Sequence, residues 1–201
     1  MKRSGLAGSI ALAVIVALGC GGNNEVKPDD RMSGEMAIDE QPTKTAEGLE
    51  VQRFDLNHDR KPDLIKYVRV IGDEELVVRK EYDLNFDGKT DVWRNYNDKA
   101  ELAKEALDLD FDGRIDLENY FEGGQLVRQE KDLNFDGHPD LHKYYEKGVA
   151  SRIEADTNND GKIDLWQYFE KGQVDRIGID RDGDGNVDDW KSMKAEETTG
   201  G

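Results

Sequence analysis

A single cysteine, three histidines and the lack of any long apolar run restrict what this chain of 201 residues can do. With Cys20 alone, no intrachain disulfide is available to staple a fold. His138 and His142 stand four apart, but Pro139 lies between them and no helical pattern carries them, so with His58 they make no zinc set. No serine sits in a Gly-x-Ser-x-Gly elbow. Positive charge is scarce: 28 Lys+Arg stand against 45 Asp+Glu, a net charge of -17. Phosphate-backbone binding needs clustered Lys and Arg, so the expected partners include no nucleic acid, and anionic lipid surfaces should repel the chain.

The ends differ from the middle. Met1–Gly19 reads as a signal peptide: Lys2 and Arg3 precede the run Leu6–Leu18, whose one polar interruption is Ser9. That run falls short of the ~20 residues needed to span a bilayer. Removing 1–19 takes away two positive charges and leaves 26 against 45, or -19. Ala17-Leu18-Gly19-Cys20 resembles the lipobox of bacterial lipoproteins, with Ala17 where Leu is commoner. The resemblance implies an exported lipoprotein with a lipidated Cys20 (palmitate among its acyl chains), anchored in the membrane of the bacterial cell envelope. If the cell has an outer membrane, that is the expected location. The alternative is a plain signal peptide and an unmodified Cys20. Residues 20–49 are polar, with Pro28, Pro42 and too few apolar residues for a core, and read as a flexible linker; 193–201 read as a disordered tail.

Between them, over 50–192, lies a six-unit repeat whose starts at Asp55, Asp83, Asp108, Asp132, Asp156 and Asp180 are spaced 28, 25, 24, 24 and 24 residues apart. Each unit opens with a nine-residue loop, D-x-[DN]-x-D-x-x-x-D, with Gly at position 6 in five of the six and Arg60 in the first. Each loop leads into an aromatic-rich run, then a tight turn (Gly123-Gly124, Lys147-Gly148, Lys171-Gly172), then a second run carrying Arg128, Arg152 or Arg176. Short aromatic runs split by a two-residue Gly turn are hairpin signals. The expected fold class is all-β: a repetitive antiparallel β-meander of hairpins joined by acidic loops, each unit resting on its neighbours. Asp98–Leu107 has a helical composition, but its place in the repeat predicts a strand. Apolar residues fall on both strand faces, Leu165 and Phe169 on one and Trp166 and Tyr168 on the other. That pattern predicts a sheet that rolls, stacks or coils.

The loops carry the chemistry. Positions 1, 3, 5 and 9 are Asp55, Asn57, Asp59 and Asp63 in the first, and Asp83, Asn85, Asp87 and Asp91 in the second. The third has Asp108, Asp110, Asp112 and Asp116; the fourth, Asp132, Asn134, Asp136 and Asp140. The fifth has Asp156, Asn158, Asp160 and Asp164; the sixth, Asp180, Asp182, Asp184 and Asp188. Ca2+ takes six to eight oxygens, often from alternating side chains plus a backbone carbonyl, and Gly at position 6 suits the sharp turn. The carbonyl is expected from position 7 (Lys61, Lys89, Arg114, His138, Lys162, Asn186), where side-chain identity should not matter. Two carboxylates ~4–5 Å apart repel by about 3–4 kcal/mol at an effective dielectric near 20, so six such loops need counter-ions. A solvated turn demands no carboxylate at position 9, and six copies keep one there. Magnesium, which prefers a tight octahedron, suits the pattern less.

The loops resemble those of EF-hands, dockerins, thrombospondin type 3 repeats and integrin α-subunit propellers. They depart from the EF-hand at position 12, where Lys66, Arg94, Asn119, Lys143, Gln167 and Lys191 replace the bidentate acid. The better likeness is therefore the integrin-type loop between two strands, although no propeller follows from it. The resulting expectation is a calcium-binding, membrane-anchored surface lipoprotein, not an enzyme, with a structural or adhesive role toward an envelope protein or polysaccharide. A carbohydrate-binding module using Trp93, Trp166, Trp190 and the Tyr series is the alternative, followed by an envelope hydrolase.

Overall fold

The run that follows every acidic loop is a strand, and so is the run after each tight turn. The computed structural model describes residues 36–38 and 41–193; the signal-like run, Cys20 and the tail beyond 193 lie outside the described residues. Fourteen strands form one sheet: β1 (Met36–Ala37), β2 (Thr43–Lys44), β3 (Glu50–Asp55), β4 (Leu64–Ile71), β5 (Glu74–Tyr82), β6 (Val92–Tyr96) and β7 (Leu102–Leu107). They continue as β8 (Leu117–Glu122), β9 (Gln125–Lys131), β10 (Leu141–Glu146), β11 (Val149–Ala155), β12 (Leu165–Glu170), β13 (Gln173–Ile179) and β14 (Asp189–Ser192). From β3 to β14 the spatial order is the sequence order, and every pairing is antiparallel. The helical composition of 98–107 gives way to β7, because its register against β6 and β8 is fixed by pairing on both sides.

The turns obey their chemistry. Gly123-Gly124, Lys147-Gly148 and Lys171-Gly172 all have positive φ at both residues, the I′ geometry that matches strand twist. A bulge recurs in each hairpin. Tyr144 pairs with Arg152 but Tyr145 with Ala150, leaving Ser151 as an extra residue, and β4–β5, β6–β7, β8–β9 and β12–β13 shift at the equivalent place. Such bulges add right-handed twist.

The expected rolling or stacking is absent. Each described strand contacts only its sheet neighbours, and the sheet is open and one layer thick. Each face instead covers itself with cross-strand ladders. On one face Tyr120, Arg128, Tyr144, Arg152, Tyr168 and Arg176 form a continuous row. Arg128 lies 4.0 Å over the Tyr120 ring, Arg152 4.1 Å over Tyr144 and Arg176 4.4 Å over Tyr168. A second row on that face supplies carboxylates: Tyr144 Oη donates to Glu154 (3.1 Å), and Lys104 pairs with Glu118 at 2.6 Å. Burial pushes the Tyr67, Tyr120 and Tyr144 hydroxyls above the ordinary phenol range, helped by Glu81 beside Tyr67, Glu118 and Glu130 beside Tyr120, and Glu154 beside Tyr144.

The opposite face carries an apolar row beside the loops, Leu64, Tyr82, Val92, Leu107, Leu117 and, beyond Lys131, Leu141. Next to it Arg94, Glu105, Asn119 and Gln129 are joined by hydrogen bonds of 2.8, 3.1 and 2.8 Å. Apolar patterning on both faces therefore reflects half-burial under ladders of long side chains, which cover rings without a second layer. The expected linker is also partly ordered: β1 and β2 lie within 20–49 and both pair with β3.

Candidate metal centre in the acidic loops

All six loops sit on one edge of the sheet, between the second strand of one hairpin and the first strand of the next. Each is closed by the position-9 N–H, which donates to the carbonyl just before position 1: Asp63 to Phe54 (2.9 Å), Asp91 to Tyr82 (2.7 Å), Asp116 to Leu107 (2.9 Å). The same bond runs from Asp140 to Lys131 (2.8 Å), Asp164 to Ala155 (3.0 Å) and Asp188 to Ile179 (3.0 Å). Neighbouring loops are bonded to one another as well. The N–H of Asp83, Asp108, Asp132, Asp156 and Asp180 each donates to the position-9 carbonyl of the preceding loop, at 2.8–3.0 Å.

Within a loop the carboxylates organise the backbone. Asp132 illustrates position 1: its Oδ1 accepts from Phe135 N–H at 2.7 Å and its Oδ2 from Gly137 N–H at 2.6 Å. Asp55, Asp108, Asp156 and Asp180 make the same pair of bonds; Asp83 accepts from Gly88 and Asp87. At position 3, Asn57, Asn85, Asp110, Asn134, Asn158 and Asp182 accept from the N–H two residues on. Position 5 repeats the turn: Asp59, Asp87, Asp112, Asp136, Asp160 and Asp184 accept from position 7. Asp63, Asp91, Asp116, Asp140, Asp164 and Asp188 at position 9 accept from the N–H of position 2.

The position-1 carboxylates are buried in all six loops, and so are Asp63, Asp91, Asp116 and Asp140 at position 9. Asp164 is half-buried and Asp188 exposed, near the free end of the sheet. Positions 3 and 5 are exposed except for half-buried Asn57. Among the predicted ligand residues, acids converge as a set of three in the third and sixth loops. In the third loop oxygens of Asp108, Asp110 and Asp116 lie within 4.8 Å of one another, as do those of Asp180, Asp182 and Asp184 in the sixth. In the fourth loop the position-3 amide draws two acids together: Asn134 Nδ2 donates to Asp136 at 3.0 Å and lies 3.4 Å from Asp140 Oδ1.

Electrostatics divides the acids. Burial raises Asp91 above the usual carboxylate range, with Asp83 and Asp108 adding to the effect; burial likewise raises Asp116, helped by Asp110 and Asp108. For Asp55 and Asp180 burial pushes the same way, but donated backbone N–H groups overcome it and leave both lowered. Arg114 lowers Asp112. The oxygens that gather are hard carboxylate donors, with neither imidazole nor thiolate among them, and they fit a hard cation: Asp108, Asp110 and Asp116, and Asp180, Asp182 and Asp184, could hold one.

Three features escaped the sequence reading. Position 4 is left-handed in every loop: His58, Phe86, Phe111, Phe135, Asn159 and Gly183 have φ between 60° and 77°. In the third and fifth loops the position-7 side chain, expected to be indifferent, bridges to the next loop. Arg114 donates to the carbonyls of Phe135 (3.1 Å) and Asp136 (3.3 Å), and Lys162 to that of Gly183 (2.5 Å). A basic residue there in five of the six loops (counting His138) was the available signal. Arg60 takes φ 72° where the other loops have Gly, so the first loop keeps the common shape. His138 and His142 do not converge; His142 Nδ1 lies 3.3 Å from Glu130 on the ladder face.

No family model and no curated protein matches the sequence. Among solved structures, the chain is similar to one described as the crystal structure of accessory secretory protein 1,2 and 3 in Streptococcus pneumoniae. The identity is 15% and the TM-score 0.37, over 64% of this chain and 23% of that one, so this protein spans under a quarter of that chain's length.

Proposed function

We propose that this protein is a non-catalytic, calcium-binding lipoprotein of the bacterial cell surface, held through Cys20, whose loops bind ions that order the sheet. The observation that carries the reading is the common bond pattern of the six loops. With that backbone frame set, carboxylate oxygens of Asp108, Asp110 and Asp116 in the third loop, and of Asp180, Asp182 and Asp184 in the sixth, gather within 4.8 Å of one another. Bound calcium would supply positive charge among these oxygens; the chain's own residues set the loop shape and carry the strain of the turns. Extracellular calcium modules bind with Kd on the order of 10⁻⁴–10⁻³ M, which suits constitutive occupancy outside a cell. The expected role is structural or adhesive, presenting an open sheet to an envelope protein or polymer.

Calorimetric titration with calcium, paired with thermal melting in EDTA, tests the reading. Binding of several ions with a rise in Tm is expected; identical melting in EDTA and in excess calcium would overturn it. Anchoring is tested by palmitate labelling, which Cys20→Ala should abolish along with membrane retention.

A carbohydrate-binding role is favoured by one observation. Phe86, Phe111 and Phe135 are exposed on consecutive loops, two strands or roughly 10 Å apart, a spacing suited to a polymer. The Tyr120, Tyr144 and Tyr168 rings lie beneath guanidinium groups and are less suited to sugars. Loss of polysaccharide pull-down in Phe111→Ser would support this reading, and no pull-down by the wild type would end it.

A further inference from the structure

The two ends of the sheet are not alike. At one end β1 and β2 both pair with β3, covering its two halves. At the other, β14 is the last strand of the order, and among the described residues no strand lies beyond it. All four of its residues are exposed, and Trp190 leaves 53% of its surface in solvent. The indole is nonetheless positioned, with its ring 5.8 Å from that of Tyr168 and 5.0 Å from the Arg176 guanidinium.

The backbone phase of this edge follows from one bond. Met193 N–H donates to the Asp175 carbonyl at 2.7 Å. In an antiparallel ladder the hydrogen-bonding direction alternates, so the peptide groups of Lys191 and Asp189 turn toward β13, and those of Trp190 turn outward. Trp190 lies on the tyrosine–arginine face, in register with Gly178; Asp189 and Lys191 share the other face. Asp189 Oδ2 takes a bond from Arg181, leaving Oδ1 outside that bond.

We propose that β14 pairs antiparallel with β14 of a second copy of this chain, about a two-fold axis through Trp190. In that register Trp190 lies opposite the second copy's Trp190, and their outward N–H and C=O groups exchange two hydrogen bonds. The indoles meet on one face. On the other, Asp189 falls opposite the second copy's Lys191, and symmetry repeats the pair. Charge selects this register. Moving the axis by one residue either way places lysine against lysine or aspartate against aspartate, and like charges directly opposite are unfavourable. A four-residue strand buries far less than the ~1,200 Å² of a stable interface, so association on the order of 10⁻⁴ M is expected.

The test uses the full chain in a non-ionic detergent, so that its apolar N-terminal run does not itself associate, with calcium present. Sedimentation equilibrium of the wild type should give a monomer–dimer equilibrium near that range, weakened at least about tenfold in Trp190→Ala. Lys191→Asp alone sets acid against acid and should be monomeric; Asp189→Lys alone sets base against base and should be monomeric too. Mixed one to one, the two variants restore both opposite-charge pairs and should form heterodimers about as tightly as the wild type. That rescue is a readout that misfolding of either variant would not give. A wild type monomeric to about 1 mM, or variants that stay monomeric when mixed, would overturn the proposal.

Discussion

Replacing Asp132 by Ala separates the two tasks assigned to the loop acids. Asp132 is buried and accepts from Phe135 at 2.7 Å and Gly137 at 2.6 Å, with Asp136 N–H at a weaker 3.3 Å. A hydrogen bond to a charged group contributes about 1.5–3 kcal/mol net. Two good bonds at the lower end give about 3 kcal/mol, and water reaching the exposed tip lowers the expected loss to about 2–3 kcal/mol. With a urea m-value of about 2 kcal/mol/M, the midpoint should fall by about 1–1.5 M. Asp136 is exposed and accepts from the N–H of His138 two residues on, so Asp136→Ala should cost less than about 1 kcal/mol in EDTA. In calcium the order changes, because both variants lose a proposed ligand and the shortfall of Asp136→Ala should grow. Urea unfolding followed by tryptophan fluorescence, in EDTA and in 5–10 mM calcium (an order-of-magnitude excess over the expected Kd), measures both. Equal losses for the two variants in EDTA would refute the division between a buried organising acid and an exposed ligand.

Arg60→Gly should stabilise the metal-free protein by about 1 kcal/mol, because Arg60 is held at φ 72°, where glycine has no Cβ penalty; a lower Tm would contradict this. Arg152→Met should cost about 1–2 kcal/mol, through loss of the 4.1 Å stacking on Tyr144 and the 3.3 Å pair with Glu154, read as a fall in Tm. Tyr67, Tyr120 and Tyr144 have raised pKa values, so the fold favours their neutral forms. Their stabilising effect is complete below the unfolded value near 10 and is lost as pH rises above it. Absorbance at 295 nm should therefore show part of the seven-tyrosine signal appearing only with alkaline unfolding; smooth titration of all seven near pH 10 would contradict the ladder.

Local rules carried much of the fold. The Gly turns, the acidic loops and the 24-residue period placed β8 to β13 almost residue by residue, and the period overrode the helical composition of 98–107. What remained hidden depended on partners outside any local window. Trp166 and Tyr168 beside Leu165 and Phe169 read as two faces needing cover, because nothing local says that Arg152 and Arg176 supply it from adjacent strands. The same holds for Met36–Ala37 and Thr43–Lys44, too short and polar to announce themselves, which are ordered by pairing with β3. In the loops, ligand spacing was legible because each oxygen serves its own loop. The Arg114 bridge was not, since its partners belong to the next one.

The linear strand order has a mechanical consequence. From β3 to β14 every strand is held by its sequence neighbours, and β3 and β14 lie at opposite ends of that order. Tension applied between those ends pulls across the strands and loads one edge pairing at a time, as in unzipping, instead of shearing many hydrogen bonds together. Each hairpin released adds about 24 residues of slack, roughly 80 Å when extended, while the hairpins behind it stay intact. Such a chain lengthens in steps under load and refolds from whichever units remain.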